Sequence, residues 1–173
     1  MQQPRRTLLF GLILMAALPS SFAQSSPPKV TTATIAGSEI KIDYYSPSMR
    51  GRKIYGSLVK YGEVWCPGAN WATAITSPVS IQIGSLKLPK GSYALWVVPN
   101  EKEFELIINS DAKAFHLDYK AATDLGRMKM NLKPLDKPIE SLTFEIRSDG
   151  SDKATLALVW ENTEASVPLV IGQ

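Results

Sequence analysis

The residues best suited to ligand chemistry include two arginines separated by a single glycine. Arg50 and Arg52 flank Gly51 in the first third of the chain. A guanidinium group can bind a carboxylate or a phosphate through two parallel hydrogen bonds, so this pair, together with Lys53, is a candidate clamp for such a ligand. The alternative is that Arg52 pairs with Asp43 or Glu63 and holds its own loop in place.

Aromatic and amide side chains nearby have the composition of a carbohydrate site. Flat rings stack on the face of a sugar, and an amide group can hydrogen-bond its hydroxyls. The alternative is that the tryptophans fill the core. The candidate ligand-binding residues are Arg50, Arg52, Trp65, Asn70, Trp71, Tyr93 and Trp96.

A single cysteine and a single histidine, Cys66 and His116, allow two further chemistries. In contact, they would form a nucleophilic thiolate–imidazole pair. Together with Met128 and Met130 they would supply soft ligands for copper. A buried, inert cysteine and two core methionines are the simpler interpretation. We therefore expect no catalytic residue, no metal site and no cofactor.

Carboxylates at Glu101, Glu103 and Glu105 would suit glycoside hydrolysis if two of them faced one cleft. Their spacing instead indicates a solvated strand face. The chain contains no G-x-S-x-G, H-E-x-x-H or Walker sequence. Nothing in the sequence identifies an enzyme. A hydrolase with an unrecognised site is therefore the third of three hypotheses, after the two binding functions given at the end of this section.

The N-terminus has the three parts of a secretory signal peptide. Arg5 and Arg6 precede an apolar run over residues 8–18, and Ser21-Phe22-Ala23 places small residues before the predicted cleavage point. These eleven apolar residues are too few for a membrane span, which needs roughly 20. The sequence therefore predicts a signal peptide at residues 1–23, export to the periplasm or the medium, and no stable membrane anchor after cleavage.

Charge and cysteine content narrow the function further. The chain has 19 basic and 16 acidic residues; removal of residues 1–23 takes away two arginines, leaving 17 against 16 and a net charge near +1. A balanced charge lacks the electrostatic signature of a nucleic-acid-binding protein, so we expect no nucleic-acid partner. One cysteine cannot form an intrachain disulfide, so packing must stabilise the domain.

Alternating apolar residues predict a domain made of short strands. The pattern recurs over residues 39–45, 79–83, 92–98, 103–109, 127–133, 142–147 and 155–160, with a last strand over 163–171. Short helices are predicted only near 56–60 and 119–125. We expect a polar flexible lead over 24–29 and a single domain over 30–171. Its predicted fold is an all-β, two-sheet antiparallel sandwich, of which the jelly roll is one topology.

Residues 46–73 do not follow the strand pattern. They form a long connection that is rich in glycine, proline, aromatic and basic residues. Connections of this length in a compact domain are usually functional or disordered, and the aromatic content indicates order. We therefore expect an ordered loop that carries the ligand site.

Four segments together resemble a bacterial protein family. They are Ile42-Asp43-Tyr44-Tyr45-Ser46-Pro47 with Arg50-Gly51-Arg52-Lys53-Ile54-Tyr55-Gly56, Trp65-Cys66-Pro67-Gly68-Ala69-Asn70 with Ala72-Thr73, Leu88-Pro89-Lys90-Gly91-Ser92-Tyr93-Ala94-Leu95-Trp96, and Leu106-Ile107-Ile108-Asn109. They are similar to the signatures of domain-of-unknown-function family 2911, over about residues 30–171. The resemblance implies an exported β-domain of unassigned activity.

The leading hypothesis is an exported, non-catalytic binding domain. Its ligand would be small or extended, a glycan being one class, and would contact the 46–73 loop and neighbouring strands. The alternative is an interaction module that uses the same aromatic surface against a protein of the cell envelope.

Overall fold

The structure, a computed structural model, describes residues 26–172. The predicted signal peptide lies outside this range. Regular structure within it consists of one 3-10 turn (Ala121–Thr123) and nine strands. The strands are β1 Pro28–Ile35, β2 Ser38–Tyr45, β3 Ala74–Ser77, β4 Ile81–Ile83, β5 Leu86–Leu88, β6 Gly91–Pro99, β7 Phe104–Asn109, β8 Asp124–Ser148 and β9 Lys153–Ile171.

All nine strands join one antiparallel sheet in the order β1-β2-β3-β6-β7-β8-β9-β4-β5. The long β8 belongs to both halves of this sheet. Its first part, up to Met130, pairs with β7, and its remainder, from Asn131, pairs with β9. The predicted all-β antiparallel fold is confirmed, whereas its division into two sheets stays a prediction.

The inner face of the sheet carries the main core. In β2, Ile40, Ile42 and Tyr44 are buried, because alternate side chains of a strand point to the same face. The sheet curls so that β1 and β2 approach β8. The Thr31 hydroxyl donates a hydrogen bond to the carbonyl of Phe144 (2.8 Å), and the rings of Tyr44 and Phe144 meet edge-on at 5.2 Å between centroids.

A smaller cluster lies on the outer face of β6 and β7. There Trp96 and Ile107 pack with Cys66, Ala72 and Ala114 from two covering segments of the chain. Leu95 belongs to the main core and Trp96 to this cluster, as alternation along β6 requires. The centre of the sheet is therefore buried on both faces.

The 46–73 loop is ordered, bonds to β8 and inserts side chains into the main core. Near its start, Met49 donates its N–H to the carbonyl of Glu140 in β8 (2.8 Å). Further on, Ile54, Tyr55 and Val59 insert into the main core, where they are 0–4% exposed. The loop therefore contributes to stability in addition to any ligand contact.

Several strands differ from their predicted bounds. Pro28 and Lys29, assigned to the polar lead from the sequence, form the start of β1. The segments 127–133 and 142–147 are parts of the single strand β8, and 155–160 and 163–171 are parts of β9. Pairing between β8 and β9 is irregular between Pro134 and Thr143, which explains why the alternation is interrupted there.

Candidate functional site

Arg50 and Arg52 lie in a tight turn, and the side chain of Arg52 stabilises that turn. Arg50 and Gly51 both have left-handed backbones (φ 51° and 71°), and the N–H of Arg52 donates to the carbonyl of Met49 at 3.0 Å. The guanidinium group of Arg52 donates to the carbonyls of Met49 (2.9 Å) and Ser48 (2.8 Å). Arg52 thus holds its own loop, as the alternative interpretation anticipated, but through carbonyl groups and not through a carboxylate.

Three of the aromatic candidates have structural contacts. The ring of Trp65 stacks on that of Trp160, with centroids 5.9 Å apart and 17° between planes. Trp96 is 2% exposed and belongs to the outer cluster. The hydroxyl of Tyr93 donates to the carbonyl of Pro89 (2.8 Å), and its ring packs against the main core. None of the three lines the groove described below.

Trp71 is the candidate whose ring is open to solvent. Its side chain is 56% exposed and meets the ring of Phe115 edge-on, with centroids 5.9 Å apart. The backbone on both sides is fixed, because Ala72 donates to the carbonyl of Ala114 (2.9 Å) and His116 donates to that of Asn70 (3.0 Å). The chain thus presents a flat aromatic surface from a rigid support.

Beside Trp71 lies a groove of about 750 Å³ on the outer face of β1, β2 and β3. The strand register places Val30 next to Asp43 and Asp43 next to Ala74 across its floor. Its size is that of sites for small molecules, roughly 300–1,000 Å³. We call it the β1–β3 groove. Its lining residues are Pro28, Lys29, Val30, Lys41, Asp43, Tyr44, Tyr45, Trp71, Ala72, Ala74, Thr76, Ser92, Ala112 and Lys113.

The lining of this groove includes three lysines and one aspartate, but Lys29 lies opposite the inward-facing Tyr44, so its side chain belongs to the inner face of the sheet. Lys41 forms an ion pair with Asp43, with its Nζ 2.9 Å from Oδ2. For Lys29 and Lys113, residues 26–172 provide no ion-pair partner. The hydroxyls of Thr76 and Ser92 lie 2.8 Å apart and add neutral hydrogen-bonding groups. The groove therefore combines an aromatic ring, hydroxyls and the ammonium group of Lys113.

The geometry does not assemble the copper or nucleophile alternatives. Met128 and Met130 belong to the main core, whereas Cys66 belongs to the cluster on the opposite face of the sheet. Burial raises the pKa of the Cys66 thiol to about 11, so the reactive thiolate is scarce at neutral pH. Burial lowers the pKa of His116, whose ring lies against Phe115. Within residues 26–172, no three His, Cys, Asp or Glu side chains converge where a metal ion would fit.

A polar network at the start of β8 fixes the 110–123 segment, which lies beside Trp71 and contributes Ala112 and Lys113 to the groove. The hydroxyl of Tyr119 donates to Asp124 (2.6 Å) and accepts from Arg127 (2.6 Å). Burial and the Asp124 carboxylate raise the pKa of Tyr119 to about 12. Asn109 donates both to Asp124 (2.9 Å) and to the carbonyl of Lys120 (3.0 Å). Because each group has a partner, the network is suited to holding the 110–123 segment in place.

Two of the three carboxylates considered for hydrolysis pair with cations on β8. Glu103 lies 2.7 Å from Lys129, and Glu105 lies 3.3 Å from Arg127. These side chains are 37–78% exposed and do not line the β1–β3 groove.

The comparisons with known proteins agree with the four sequence signatures. The sequence model of a family described as "Protein of unknown function (DUF2911)" matches residues 26–169. The chain belongs to this family. No curated protein and no solved structure matches it.

The fold gives the DUF2911 signatures concrete positions. The first contains the braced turn at Arg50 and the core residues Ile54 and Tyr55. The second leads from Cys66, a member of the outer cluster, towards the exposed Trp71. Asn109, at the end of the fourth, anchors the 110–123 segment. Most signature residues thus shape the scaffold.

Sequence reasoning found Trp71 but missed the rest of the groove. Its floor comes from outward-facing residues of β1 to β3, and Lys113 comes from a segment about 40 residues after Trp71. The available signal was polar or small residues, such as Asp43, Ala74 and Thr76, alternating with buried ones. That pattern identifies a solvent face but does not show that a distant loop rises beside it.

Proposed function

We propose that this domain is a non-catalytic binding module and that it holds its ligand in the β1–β3 groove. The observation that carries the proposal is the 56% exposed ring of Trp71, held on a fixed backbone at the side of an open groove. An exposed tryptophan on a rigid support gains free energy when a flat apolar surface covers it. Carbohydrate rings offer such a surface.

The groove floor suits an extended saccharide. Ala74, Thr76 and Ser92 are small, so a ligand can approach the sheet closely. The hydroxyl pair of Thr76 and Ser92 can exchange hydrogen bonds with sugar hydroxyls, because each hydroxyl both donates and accepts. The proposed site lies on a sheet face beside the 46–73 loop, and of the seven residues predicted from the sequence only Trp71 lines it.

Thermal unfolding against a panel of oligosaccharides and cell-wall fragments tests this proposal. A ligand at 100 times its Kd adds roughly 2.7 kcal/mol to the free energy of unfolding. For a domain of this size the increase in Tm is about 5–10 °C. Trp71→Ala should abolish the increase. Leu58→Ala is the matched control, because Leu58 is an exposed apolar residue (48%) of the same loop outside the groove.

Two results would count against a glycan-binding groove. One is a Tm that no panel member raises. The other is a Tm increase that survives in Trp71→Ala or disappears equally in Leu58→Ala.

The second candidate function, an interaction module for an envelope protein, has one specific observation in its favour. Phe115, whose ring meets that of Trp71, exposes 39% of its surface, and Leu117, two residues further along the chain, exposes 74%. Exposed apolar clusters often mark protein-binding surfaces. Cross-linking in envelope extracts that is lost in Leu117→Ser but retained in Lys113→Gln would favour this function over ligand binding in the groove.

Export remains part of the proposal. Within residues 26–172, no helix is long and apolar enough to cross a membrane. The proposal rests on Arg5, Arg6, the apolar run and Ala23. N-terminal sequencing of the purified native protein should begin at Gln24, whereas a protein that retains Met1 would contradict export by this route.

A further inference from the structure

We infer that two copies of this chain form a dimer in which the two β1 strands pair antiparallel, with Thr32 on the two-fold axis. This inference goes beyond the proposed function and needs no ligand. Its basis is the outer edge of β1, where backbone hydrogen-bonding groups have no partner.

One edge of β1 is unpaired. β1 stands first in the order of the sheet and pairs only with β2. Because Ser46 donates its N–H to the carbonyl of Pro27, the backbone groups of every second residue from Pro27 onward point to β2. The N–H and carbonyl groups of Val30, Thr32 and Thr34 therefore point away from β2. Among residues 26–172, none donates to or accepts from these groups.

The strand β8, which approaches β1, leaves this edge uncovered. Their contact is the hydrogen bond from the Thr31 hydroxyl to the carbonyl of Phe144 (2.8 Å). Thr31 lies opposite the buried Ile42, so this contact is on the inner face of the sheet. The outward-facing side chains of Val30, Thr32 and Thr34 are exposed. The outer edge is therefore open to a strand from another molecule.

The two end strands of the sheet differ in their protection against such pairing. Proteins usually protect an edge strand by shortening it or by placing charged residues or proline on it. The opposite end strand, β5, has three residues and includes the exposed Lys87. β1 has eight residues, and Pro28 removes an N–H group only at its start. Because none of the three outward-pointing residues is charged, β1 is the edge suited to pairing.

The sequence of β1 fits a second copy of itself. With Thr32 opposite Thr32 of the second copy, Val30 faces Thr34 and Thr31 faces Ala33. The pairs Val30–Thr34, Thr32–Thr32 and Thr34–Val30 each exchange two backbone hydrogen bonds in this register. All facing side chains are small or β-branched, and threonine pairs across strands are favourable. Outside residues 1–23 the chain has 17 basic and 16 acidic residues, so net charge does not keep two copies apart.

The dimer has a consequence for the β1–β3 groove. Val30 lines this groove, so pairing of β1 with β1 places the two grooves side by side on one continuous sheet. The two β3 strands then lie five strand spacings apart, roughly 24 Å. The dimer therefore presents a longer surface than either copy alone.

Analytical ultracentrifugation of the purified protein tests the association. A single pair of strands buries less area than the roughly 1,200–2,000 Å² of a stable interface, so we expect a weak dimer. It should appear as a rise in sedimentation coefficient between about 10 μM and about 1 mM protein.

Thr32→Pro is the decisive variant, because it removes an N–H group that points away from β2 and leaves the bonds to β2 intact. By symmetry it removes two hydrogen bonds of the dimer, which should weaken association roughly fivefold to a hundredfold. Thr32→Val is the matched control, because it keeps both the N–H group and the β-branched shape and should associate as the native protein does. Similar Tm values for the three proteins at low concentration show that the fold is intact.

Disulfide cross-linking tests the register independently of proline. Thr32→Cys should give a covalent dimer on mild oxidation, because residues opposite each other in a hydrogen-bonded pair have Cα atoms about 5.5 Å apart, within disulfide range. Thr34→Cys is the control, because the two copies of residue 34 are offset by four positions, about 13 Å along the strand. The native Cys66 is buried and does not compete.

Three outcomes overturn the inference. One is a protein that sediments as a monomer at about 1 mM, which leaves the edge of β1 to a strand of a different protein. Another is a dimer that Thr32→Pro associates into as tightly as the native protein, because the contact then lies elsewhere. The third is cross-linking of Thr34→Cys as fast as that of Thr32→Cys, which decides against this register even if Thr32→Pro fails to fold.

Discussion

Replacing Glu161 with alanine should destabilise the protein by loosening the loop that enters the core. The carboxylate of Glu161 in β9 accepts the backbone N–H of Ile54 at 2.9 Å and that of Tyr55 at 3.3 Å. Ile54 is 0% exposed, so its N–H would be left in a region with little access to water. The two bonds join the family's first signature to the far side of the sheet.

The size of the effect follows from these two bonds. A hydrogen bond to a charged group contributes about 1.5–3 kcal/mol, and the longer one should lie below that range. Glu161 has a left-handed backbone (φ 52°), and alanine at this position would bear the same strain, so that term cancels. We expect Glu161→Ala to lower the free energy of unfolding by about 2–4 kcal/mol, or Tm by about 5–15 °C.

Urea and thermal unfolding measure this change. Glu161→Gln should lose less, because its carbonyl oxygen still accepts a hydrogen bond. Glu101→Ala is the control: Glu101 is exposed, and removal of a surface carboxylate changes stability by no more than about 0.5 kcal/mol. The free energy of unfolding of Glu161→Ala could instead lie within about 0.5 kcal/mol of that of the control, which is about the error of the comparison. That result would show that the loop is held by its apolar side chains and not by this carboxylate.

Two further predictions concern protonation. Hydrogen bonding to Arg147 (2.6 Å) holds the pKa of Glu164 in the folded protein below its ordinary value. The pair therefore stabilises the fold fully when the pH is above the ordinary pKa of a glutamate. This stabilisation is lost as the pH falls through the lower pKa of the folded state. Between about pH 5 and pH 3, the free energy of unfolding should therefore fall less in Arg147→Gln than in the native protein. Urea unfolding measures it, and plots of this free energy against pH that run parallel for the two proteins would contradict the prediction. Because burial raises the pKa of the Cys66 thiol to about 11, alkylation by iodoacetamide at pH 8 should be slow in the folded protein and fast in urea. Equal rates in the two states would show that the thiol is accessible.

The strands were predictable where one face is buried and the other is polar. β2 follows this rule with Ile40 and Ile42 inward and Lys41 and Asp43 outward. β1 was harder to find because only its end is fully buried, at Ile35. The extent of β8 was hidden because residues 134–140 stay in the strand without regular pairing. Alternation thus identifies the buried positions of a strand but does not show whether the chain between two such stretches stays in the same strand.

The candidate site was less predictable than the fold. Arg50 and Arg52 have the composition of a ligand clamp. The sequence does not show that Arg50 and Gly51 adopt left-handed backbones in a turn, or that the Arg52 guanidinium group stabilises this turn by a hydrogen bond to the carbonyl of Met49. Trp96 and Trp71 are chemically identical in the sequence, yet one is covered by the 110–123 segment and the other is open. Exposure depends on segments that meet only after folding.

The pairing of β4 with β9 has a consequence for how the protein is made. Ile81 lies opposite Ile171, so two residues 90 positions apart complete this side of the sheet. Strand pairing over such a separation is slow compared with local hairpins, because the entropy of closing a long loop must be lost first. During synthesis, the β4–β5 hairpin has no partner until β9 has been made. The native sheet can therefore close only after β9 has left the ribosome, so the earlier strands wait with this edge of the sheet unpaired.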